Sequence, residues 1–389
     1  MNRSGCVIGL VVLTLLCGGL AWAQLGPNPA LNAPDEVAWR LFIQVNARAG
    51  GSNALFETWA SDTDTFNMNP RFPGAPTPPS LRAPAVPAAG RQAIQESGRL
   101  LPAIPPGLPN INEETRRNKS AFDFIVGNNL HKITGLRAAF GKPISFPVDA
   151  IEVKANWVAV ADIPSFSLNR VTLANVPKMY HVNTASDGKQ YALVAMHVIS
   201  KLVPNWTWAT FEHSLNPDRC DILGCRDFFG AQATVVAPNA QPGRGYPDCV
   251  KTPALQTLIG AGNWDPAFVN YCLKGSQADF IDNTGLDVRL GNSVTEDGFV
   301  AQSSCMTCHG RAAFNEGGRA TSNAGFDQNG APLGPINPAW YWAFSSSPPI
   351  FQGMPGLRQT GTSADFVWSI PFCAVDDTVN PVKLRCVGK

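Results

Sequence analysis

The chain has 389 residues, of which 44% are apolar and only 15% are charged. The apolar share is large enough for a packed core, which excludes disorder over the whole chain. Lysine and arginine (30) balance aspartate and glutamate (29), so the formal net charge of +1 shows no basic excess of the kind that binds nucleic acid. The 35 glycines and 33 prolines predict long irregular connections between short regular elements.

Residues 1–23 predict an export signal. One positive charge, Arg3, precedes an apolar run from Cys6 to Cys17, and the small-x-small pattern Ala21-Trp22-Ala23 follows. We expect cleavage after Ala23 and a periplasmic location. The run is shorter than the roughly 20 apolar residues that a membrane span needs, and no later stretch is longer, so no span is expected after signal removal.

Residues 24–69 are predicted to be an N-terminal helical segment. A first helix is expected from Asn32 to Arg48, with Asn32 as its cap and Pro34 in its first turn. A second short helix is expected from Leu55 to Phe66. The segment 70–110 follows, and eleven prolines between 70 and 109 disfavour both helix and central strand there. It is predicted to be a linker or an extended segment wrapped on the surface.

Residues 111–290 are predicted to be rich in β-strands. After a polar stretch at 112–120, the segment Ile151 to Ala159 alternates between apolar and polar residues, which predicts a half-buried strand. Tyr191 to Ser200 is almost wholly apolar and predicts a central strand buried on both faces. Pro204 to His213 predicts its antiparallel neighbour, with Trp206 and Trp208 on one face and Phe211 and His213 on the other.

Residues 216–290 hold four cysteines and predict a region of disulfide-pinned loops and short helices, which leads into a C-terminal part at 291–389. Eight cysteines remain after signal removal, as expected for an exported, oxidised chain. Six cysteines remain when Cys305 and Cys308 are set aside, and the sequence alone permits several pairings among them. Proximity favours Cys220–Cys225, Cys249–Cys272 and Cys373–Cys386.

Cys305-Met306-Thr307-Cys308-His309 is a CxxCH sequence, the attachment pattern for c-type haem. Random placement of the same residues would give this pattern about 0.002 times in a mature chain of this composition. A helix from Thr295 to His309 is expected to present the two thiols to the vinyl groups of one porphyrin and the His309 imidazole to its iron. The alternatives are a zinc half-site, for which no second CxxC or HxxxH exists, and a CxxC disulfide.

The second axial position of the iron decides between electron transfer and chemistry at an open site. Met354, in the Gly/Pro-rich loop Gln352 to Gly356, is the predicted ligand, and a Met on a surface loop is the alternative. His197 and His213 are the rival ligands or acid/base groups, although each is more typical of a hydrogen-bonded structural histidine. Alternation places His197 on the same strand face as Tyr191, Leu193 and Ile199.

Two arginines close to the motif, Arg311 and Arg319, are candidate partners for the haem propionates, with solvated loop arginines as the alternative. Aromatic residues surround Met354 in the sequence and would suit a porphyrin face or an ordinary core. They are Trp340, Tyr341, Trp342, Phe344, Phe351 and Trp368.

Several short sequences spread along the chain carry a family resemblance. They are Ala38-Trp39-Arg40-Leu41-Phe42, Phe56-Glu57-Thr58-Trp59, Glu152-Val153-Lys154-Ala155, Trp206-Thr207-Trp208-Ala209-Thr210-Phe211-Glu212-His213, Leu290-Gly291-Asn292-Ser293-Val294, Ser303-Ser304-Cys305-Met306-Thr307-Cys308-His309 and Asp365-Phe366-Val367-Trp368-Ser369-Ile370-Pro371-Phe372. With these pieces the chain resembles bacterial exported proteins described as cytochrome c family proteins. The resemblance implies one covalent haem on Cys305, Cys308 and His309, and no substrate or catalytic residue.

These patterns together predict an α+β fold, with an antiparallel β-rich core, peripheral helices, many irregular loops and a C-terminal haem c-binding part. The predicted function is that of a periplasmic monohaem c-type cytochrome that transfers electrons to or from a redox partner protein. The alternatives are a haem enzyme with an open iron that acts on peroxide, nitrogen oxides or oxygen, and a haem-based gas or redox sensor.

Overall fold

A computed structural model describes residues 29–82, 111–238, 246, 249–296, 300–321, 334–344 and 357–386. Its α-helices are α1 (Pro29–Asn32), α2 (Pro34–Val45), α3 (Asp62–Thr65), α4 (Lys119–Gly127), α5 (Ile133–Ala139), α6 (Ile163–Phe166), α7 (Val176–Met179), α8 (Pro253–Gly260), α9 (Cys305–His309) and α10 (Ser369–Cys373). Its strands are β1 (Arg48–Gly50), β2 (Asn53–Ala54), β3 (Ala60–Ser61), β4 (Asn112–Arg117), β5 (Ile151–Ala159), β6 (Val182–Thr184), β7 (Gln190–Ser200), β8 (Thr207–His213), β9 (Cys225–Arg226), β10 (Val235–Val236), β11 (Tyr271–Gln277), β12 (Ala313–Phe314), β13 (Trp342–Phe344), β14 (Leu357–Gln359) and β15 (Thr362–Ser363). The predicted signal with its cleavage after Ala23, residues 83–110 of the proline-rich segment, and Met354 lie outside the described residues.

A seven-stranded antiparallel sheet organises the fold, in the order β11-β8-β7-β5-β4-β3, with β6 also paired to β7. This confirms the predicted antiparallel core and the mixed α+β class. β7 lies inside the sheet and is buried from Tyr191 to Ser200, as its continuous apolar run predicts. β8 begins at Thr207 rather than Pro204 because Trp206 adopts a left-handed backbone conformation with φ of 61°.

The sheet has two covered faces. On the first, which we call the helical face, Phe42 of α2 stacks on Phe211 with ring centroids 4.1 Å apart. On the second, the motif face, Ile199 and Trp208 pack into one core with Met306 of α9. Trp206 and Trp208 thus lie opposite Phe211, as the alternation of β8 predicts.

The sequence analysis places three residues of β7 on the same strand face as His197, and two of these placements are wrong. Asn156 pairs with Ala195 but the next residue, Trp157, pairs with Leu193, so β7 contains one extra residue. Such a bulge reverses the alternation of side chains beyond it. Leu193 and Tyr191 therefore belong to the helical face. His197 shares only the face of Ile199, which is the motif face.

Strand β4 was not predicted, because its sequence Asn-Glu-Glu-Thr-Arg-Arg is polar. Inside the sheet its charges are buried and paired: Arg117 contacts Asp62 at 2.5 Å and Glu152 at 3.3 Å, and Arg116 contacts Glu114 at 2.9 Å. Buried charges of this kind are tolerated only when their hydrogen bonds are satisfied. A polar sequence of this kind is typical of an exposed segment. In the structure, however, the charges of β4 are buried and have partners in the interior.

The described part of the proline-rich segment lies against this charged strand. Arg116 donates hydrogen bonds to the carbonyl oxygens of Thr77 (3.2 Å) and Pro78 (2.9 Å). The Thr77 amide donates to the carbonyl of Glu57 at 3.0 Å. Residues 70–82 contain neither helix nor long strand, as the prolines predict.

Three predicted helices differ in the structure. The first is α2, which is capped by Ala33 without a side-chain bond and ends at Val45, so that residues 48–50 form β1. Leu55–Phe66 is not one helix, because β3 separates a 3-10 turn from α3. The helix that carries CxxCH is only α9, since Ser304 is extended and forms a bridge with Leu290.

The cysteine pairs favoured by proximity are confirmed. The structure contains the disulfides Cys220–Cys225, Cys249–Cys272 and Cys373–Cys386, with Cα atoms 5.0, 5.9 and 4.9 Å apart. These separations lie in the range that a disulfide requires. Edge strand β11, which carries Cys272, was missed within the predicted loop region.

Candidate cofactor-attachment site

The CxxCH sequence forms the single helical turn α9. Cys305, Cys308 and His309 are half-buried, whereas Met306 and Thr307 point into the core of the motif face. Positions i, i+3 and i+4 of a helix share one side, so the two thiols and the imidazole are presented together. Cys305 and Cys308 are free thiols, in contrast to the six cysteines that form disulfides.

Side chains from distant segments hold both ends of α9. At its start, Gln277 of β11 accepts a hydrogen bond from the Met306 amide and donates to Ser304 Oγ, both at 3.2 Å. At its end, the indole N–H of Trp368 donates to the Cys308 carbonyl at 3.1 Å. The Tyr341 hydroxyl donates to the carbonyl of Gly310, also at 3.1 Å. The turn is therefore fixed in place although it is too short to be stable alone.

The His309 imidazole has one nitrogen engaged and one available. Its Nδ1 lies 2.9 Å from the carbonyl oxygen of Phe366. A carbonyl can only accept, so Nδ1 carries the proton and Nε2 keeps its lone pair. Burial lowers the pKa of His309 to about 4, although the Phe366 bond opposes this shift. The ring is therefore neutral near pH 7 and can act as a metal ligand through Nε2.

A strained turn presents the Phe366 carbonyl to His309. Asp365 and Phe366 have φ angles of 50° and 71°, in the left-handed region that costs on the order of 1–3 kcal/mol for residues other than glycine. The Asp365 carboxylate holds the turn by accepting from Lys201 Nζ at 2.6 Å and from the Phe146 amide at 2.7 Å. Strain of this kind persists where neighbouring contacts fix the backbone, as they do here.

Both thiols lie in an environment that keeps them protonated. Burial raises the pKa of Cys308 to about 11 and that of Cys305 well above its ordinary range. The negative charge of Glu296 raises both further. Glu296 therefore acts electrostatically on both thiols in the same direction as burial.

The segment 290–296 carries Glu296 to this position and is bonded to polar residues of the motif face. Asn292 donates to Thr210 at 3.0 Å, Thr295 donates to Asn156 at 2.6 Å, and the Ser293 amide donates to Glu212 at 2.9 Å. Its backbone also passes very close to the residues before α9. A Cβ atom at position 291 would lie 1.8 Å from Ser303 Oγ, which explains why this position is Gly291.

Arg311 is a buried cation with unused hydrogen-bonding capacity. The residue is 3% exposed, and its Nε and Nη2 atoms have no hydrogen-bond partner among the described residues. The guanidinium carbon lies 3.3 Å from the ring centre of Trp340, within range of a cation–π interaction. Burial lowers the pKa of Arg311 to about 10, so it stays charged near neutral pH. Arg319, by contrast, is paired with Asp376 at 2.6 Å.

The rival histidines differ in their placement. His213 lies away from the motif face, stacked on Tyr180, and both its nitrogens are engaged, by the Met179 carbonyl and the Leu215 amide. It is therefore not available to a metal at α9. His197 lies on the motif face, and its charge lowers the pKa of His309.

Sequence reasoning missed Glu296, Lys154, Gln277 and the Phe366 carbonyl. Lys154 was visible only as a polar position in an alternating strand, and its side chain faces the motif because β5 and β7 pair in this register. The other three have no spacing rule that links them to CxxCH. Of the aromatic residues singled out around Met354, Trp340, Tyr341 and Trp368 contact the motif or Arg311.

No protein-family model matches the chain, and the searches of curated proteins and of solved structures also return no match. Throughout the described ranges, no helix combines the length and apolar character that a membrane crossing requires. Within the same ranges, no three His, Cys, Asp or Glu side chains converge in a way that could hold a metal ion by themselves.

Proposed function

We propose that the protein is a monohaem c-type cytochrome that transfers electrons in the periplasm. The haem would be attached to Cys305 and Cys308, with His309 as an iron ligand. The observation that carries this proposal is the hydrogen bond from His309 Nδ1 to the Phe366 carbonyl, beside two free thiols on the same helical turn. Iron-ligating imidazoles commonly donate their second N–H in this way, which fixes the tautomer and the ring orientation.

The other residues of the site suit the same cofactor. When bound, the haem supplies an iron that carries one electron. Arg311 would pair with a propionate carboxylate, because its two unpaired nitrogens need an anionic acceptor in a buried place. The ring of Trp208 packs beside the His309 imidazole, with ring centres 4.6 Å apart. Met354 stays the predicted second ligand.

The periplasmic location is supported by the three disulfides, which are typical of oxidising compartments. The export signal and the cleavage after Ala23 are part of the proposal. The partner would be another redox protein, since a covalently held carrier must exchange electrons by docking.

The direct test is to produce the full chain together with the haem-attachment machinery and to weigh the secreted protein. We expect an added mass of about 616 Da, the mass of one haem. The double variant Cys305→Ser/Cys308→Ser should lose this mass. The matched double variant Cys220→Ser/Cys225→Ser, which removes a disulfide instead, should keep it. A wild-type protein without the added mass would refute the proposal.

Optical spectra test electron transfer against the alternatives. A six-coordinate, low-spin iron that cycles between two oxidation states and does not bind CO supports electron transfer. Rapid CO binding would instead favour an open-site enzyme or a sensor. If Met354 is the second ligand, the oxidised protein should show the His–Met absorption band at about 695 nm, and Met354→Ala should lose it.

A further inference from the structure

Two aromatic rings in contact connect the CxxCH turn to the surface. The indole N–H of Trp368 donates to the Cys308 carbonyl at 3.1 Å. The Trp368 ring stacks on that of Phe372 in α10, with ring centres 4.9 Å apart and planes 15° apart. Trp368 is half-buried, whereas Phe372 is 45% exposed. The stack therefore leads from a residue that would carry the haem to the solvent.

A second tryptophan contacts the motif but does not reach the surface. The ring centre of Trp208 is 4.6 Å from that of His309, yet Trp208 is 3% exposed and lies in the core of the motif face. Electron transfer slows steeply with distance, so a partner must approach where protein contacts lead to the cofactor. Of the two tryptophans, Trp368 offers such an approach through Phe372.

Phe372 belongs to a group of exposed apolar side chains near the end of the described chain. The other members are Val379, Val382 and Leu384. The Cys373–Cys386 disulfide, with Cα atoms 4.9 Å apart, holds their segment against the end of α10. Arg385 supports the same contact by donating to the Pro371 carbonyl at 3.1 Å. We call these four apolar side chains the tail patch. Exposed apolar groups of this kind are typical of interaction sites.

The charges of the tail segment that face solvent are mainly positive. Lys383 is exposed and Arg385 is half-buried. The carboxylates of the segment are engaged with the protein itself. Asp376 is 4% exposed and forms a salt bridge of 2.6 Å, and both oxygens of Asp377 accept hydrogen bonds from Thr134. The tail patch thus has a basic rim, which is complementary to an acidic surface.

We propose that Trp368 and Phe372 form the path of the electron between the haem site and a redox protein that docks on the tail patch. The docking face of this partner is apolar at its centre and acidic at its rim. The inference rests on the proposed haem site. In each encounter one electron leaves the reduced iron at His309 and enters the oxidised cofactor of the partner. No bond forms or breaks, and no proton is transferred.

The path is tested with the full-length, haem-loaded protein on a gold electrode. The electrode carries a mixed monolayer of carboxylate- and methyl-terminated thiols, which imitates an acidic, partly apolar partner. Phe372→Ala should lower the rate constant of electron exchange by about tenfold. The adsorbed mass, measured with a quartz microbalance, should change little because the basic rim remains. The control Phe228→Ala replaces a ring that is 69% exposed elsewhere and should behave as the wild type.

The docking surface is tested by the adsorbed mass. Adsorption of the wild type should weaken as salt screens the charges. Lys383→Glu should weaken adsorption several-fold, because it reverses a charge of the rim. The control Lys189→Glu changes a side chain that is 73% exposed in the turn before β7 and should have no such effect. The haem-free variant Cys305→Ser/Cys308→Ser should adsorb as the wild type does, since the tail patch contains no part of the haem site.

The outcomes separate this inference from the proposed function. A haem-loaded Phe372→Ala protein that exchanges electrons as fast as the wild type would overturn the path. Equal adsorption of the two lysine variants, or a preference of the wild type for an amine-terminated monolayer, would overturn the acidic partner. A dimer in solution that Phe372→Ala dissociates would assign the tail patch to a second copy of the chain instead. A protein that lacks the haem mass would overturn the proposed function and the inference with it.

Discussion

Buried histidines on the two faces of the central sheet differ in how many of their ring nitrogens have hydrogen-bond partners. On the helical face, His181 has both nitrogens engaged, by Glu57 at 3.1 Å and Asp265 at 3.0 Å, and its ring stacks on Phe268. On the motif face, His309 leaves Nε2 available and His197 Nε2 has no close partner among the described residues. Buried polar groups without partners are uncommon in folded proteins. Unpaired buried atoms also occur elsewhere among the described residues, as at Asn46 Oδ1 and the Tyr180 hydroxyl. The contrast therefore concerns the histidines: His309 keeps one nitrogen for a ligand, whereas His181 is fully paired.

The comparison predicts that the largest loss of stability comes from the helical face. Phe42→Ala removes a fully buried ring that contacts Trp39, Phe211, Trp264, Phe268 and Tyr271. We expect the free energy of unfolding, measured by urea denaturation, to fall by about 3–5 kcal/mol.

Haem content per folded molecule should not change in Phe42→Ala. The control Phe228→Ala replaces a ring that is 69% exposed and should cost no more than about 0.5 kcal/mol. Loss of the haem mass from folded Phe42→Ala would show that the two faces are not independent.

The second largest expected effect is a pH dependence of the unfolding free energy, which the ionisation of His181 causes. The hydrogen bonds and charges of Asp265 and Glu57 outweigh burial and raise its pKa to about 9, above the ordinary value of 6.5. The stabilisation is therefore complete below the ordinary pKa and is lost as the pH rises through the folded-state pKa. A shift of this size corresponds to a loss on the order of 3 kcal/mol.

Unfolding free energies of wild type and His181→Gln, measured across this pH range, isolate the contribution of His181. The two curves should converge at the alkaline end, because His181 is then neutral in both the folded and the unfolded state. Parallel curves would contradict the ionic role that we assign to His181.

A smaller effect distinguishes the proposed haem contact of Arg311 from an ordinary surface ion pair. Arg311→Leu should destabilise the haem-loaded protein by about 1–3 kcal/mol, because a buried propionate would lose its charged partner. In Cys305→Ser/Cys308→Ser, which lacks covalent haem, the same substitution should be neutral or stabilising, since it removes a buried cation with unpaired nitrogens. Equal effects in the two backgrounds would rule out a propionate contact.

The smallest effect is expected for Arg319→Gln, the matched control for Arg311. Arg319 is 42% exposed at its side chain and already paired with Asp376. Exposed pairs of this kind contribute about 0–1 kcal/mol. The change in unfolding free energy should therefore be small and the same with and without haem.

Local patterns in the sequence determined a large part of this architecture. The continuous apolar run of β7 predicted a buried central strand, and the alternation of β8 separated Trp208 from Phe211 correctly. The three disulfides joined the cysteines nearest in sequence, because short separations make ring closure least costly. The CxxCH motif could be recognised without tertiary information, since its five residues are consecutive and form a single turn.

Only the tertiary structure decided what surrounds that turn. Strand β4 is polar along its sequence, yet its buried charges find partners in residues such as Asp62, which lies 55 positions from Arg117. His197 lies on the motif face because one extra residue in β7 reverses its side, which no periodicity reveals. Glu296 and the Phe366 carbonyl reach the site through long-range pairing. A motif is set by neighbours along the chain, whereas its electrostatic environment is set by neighbours in space.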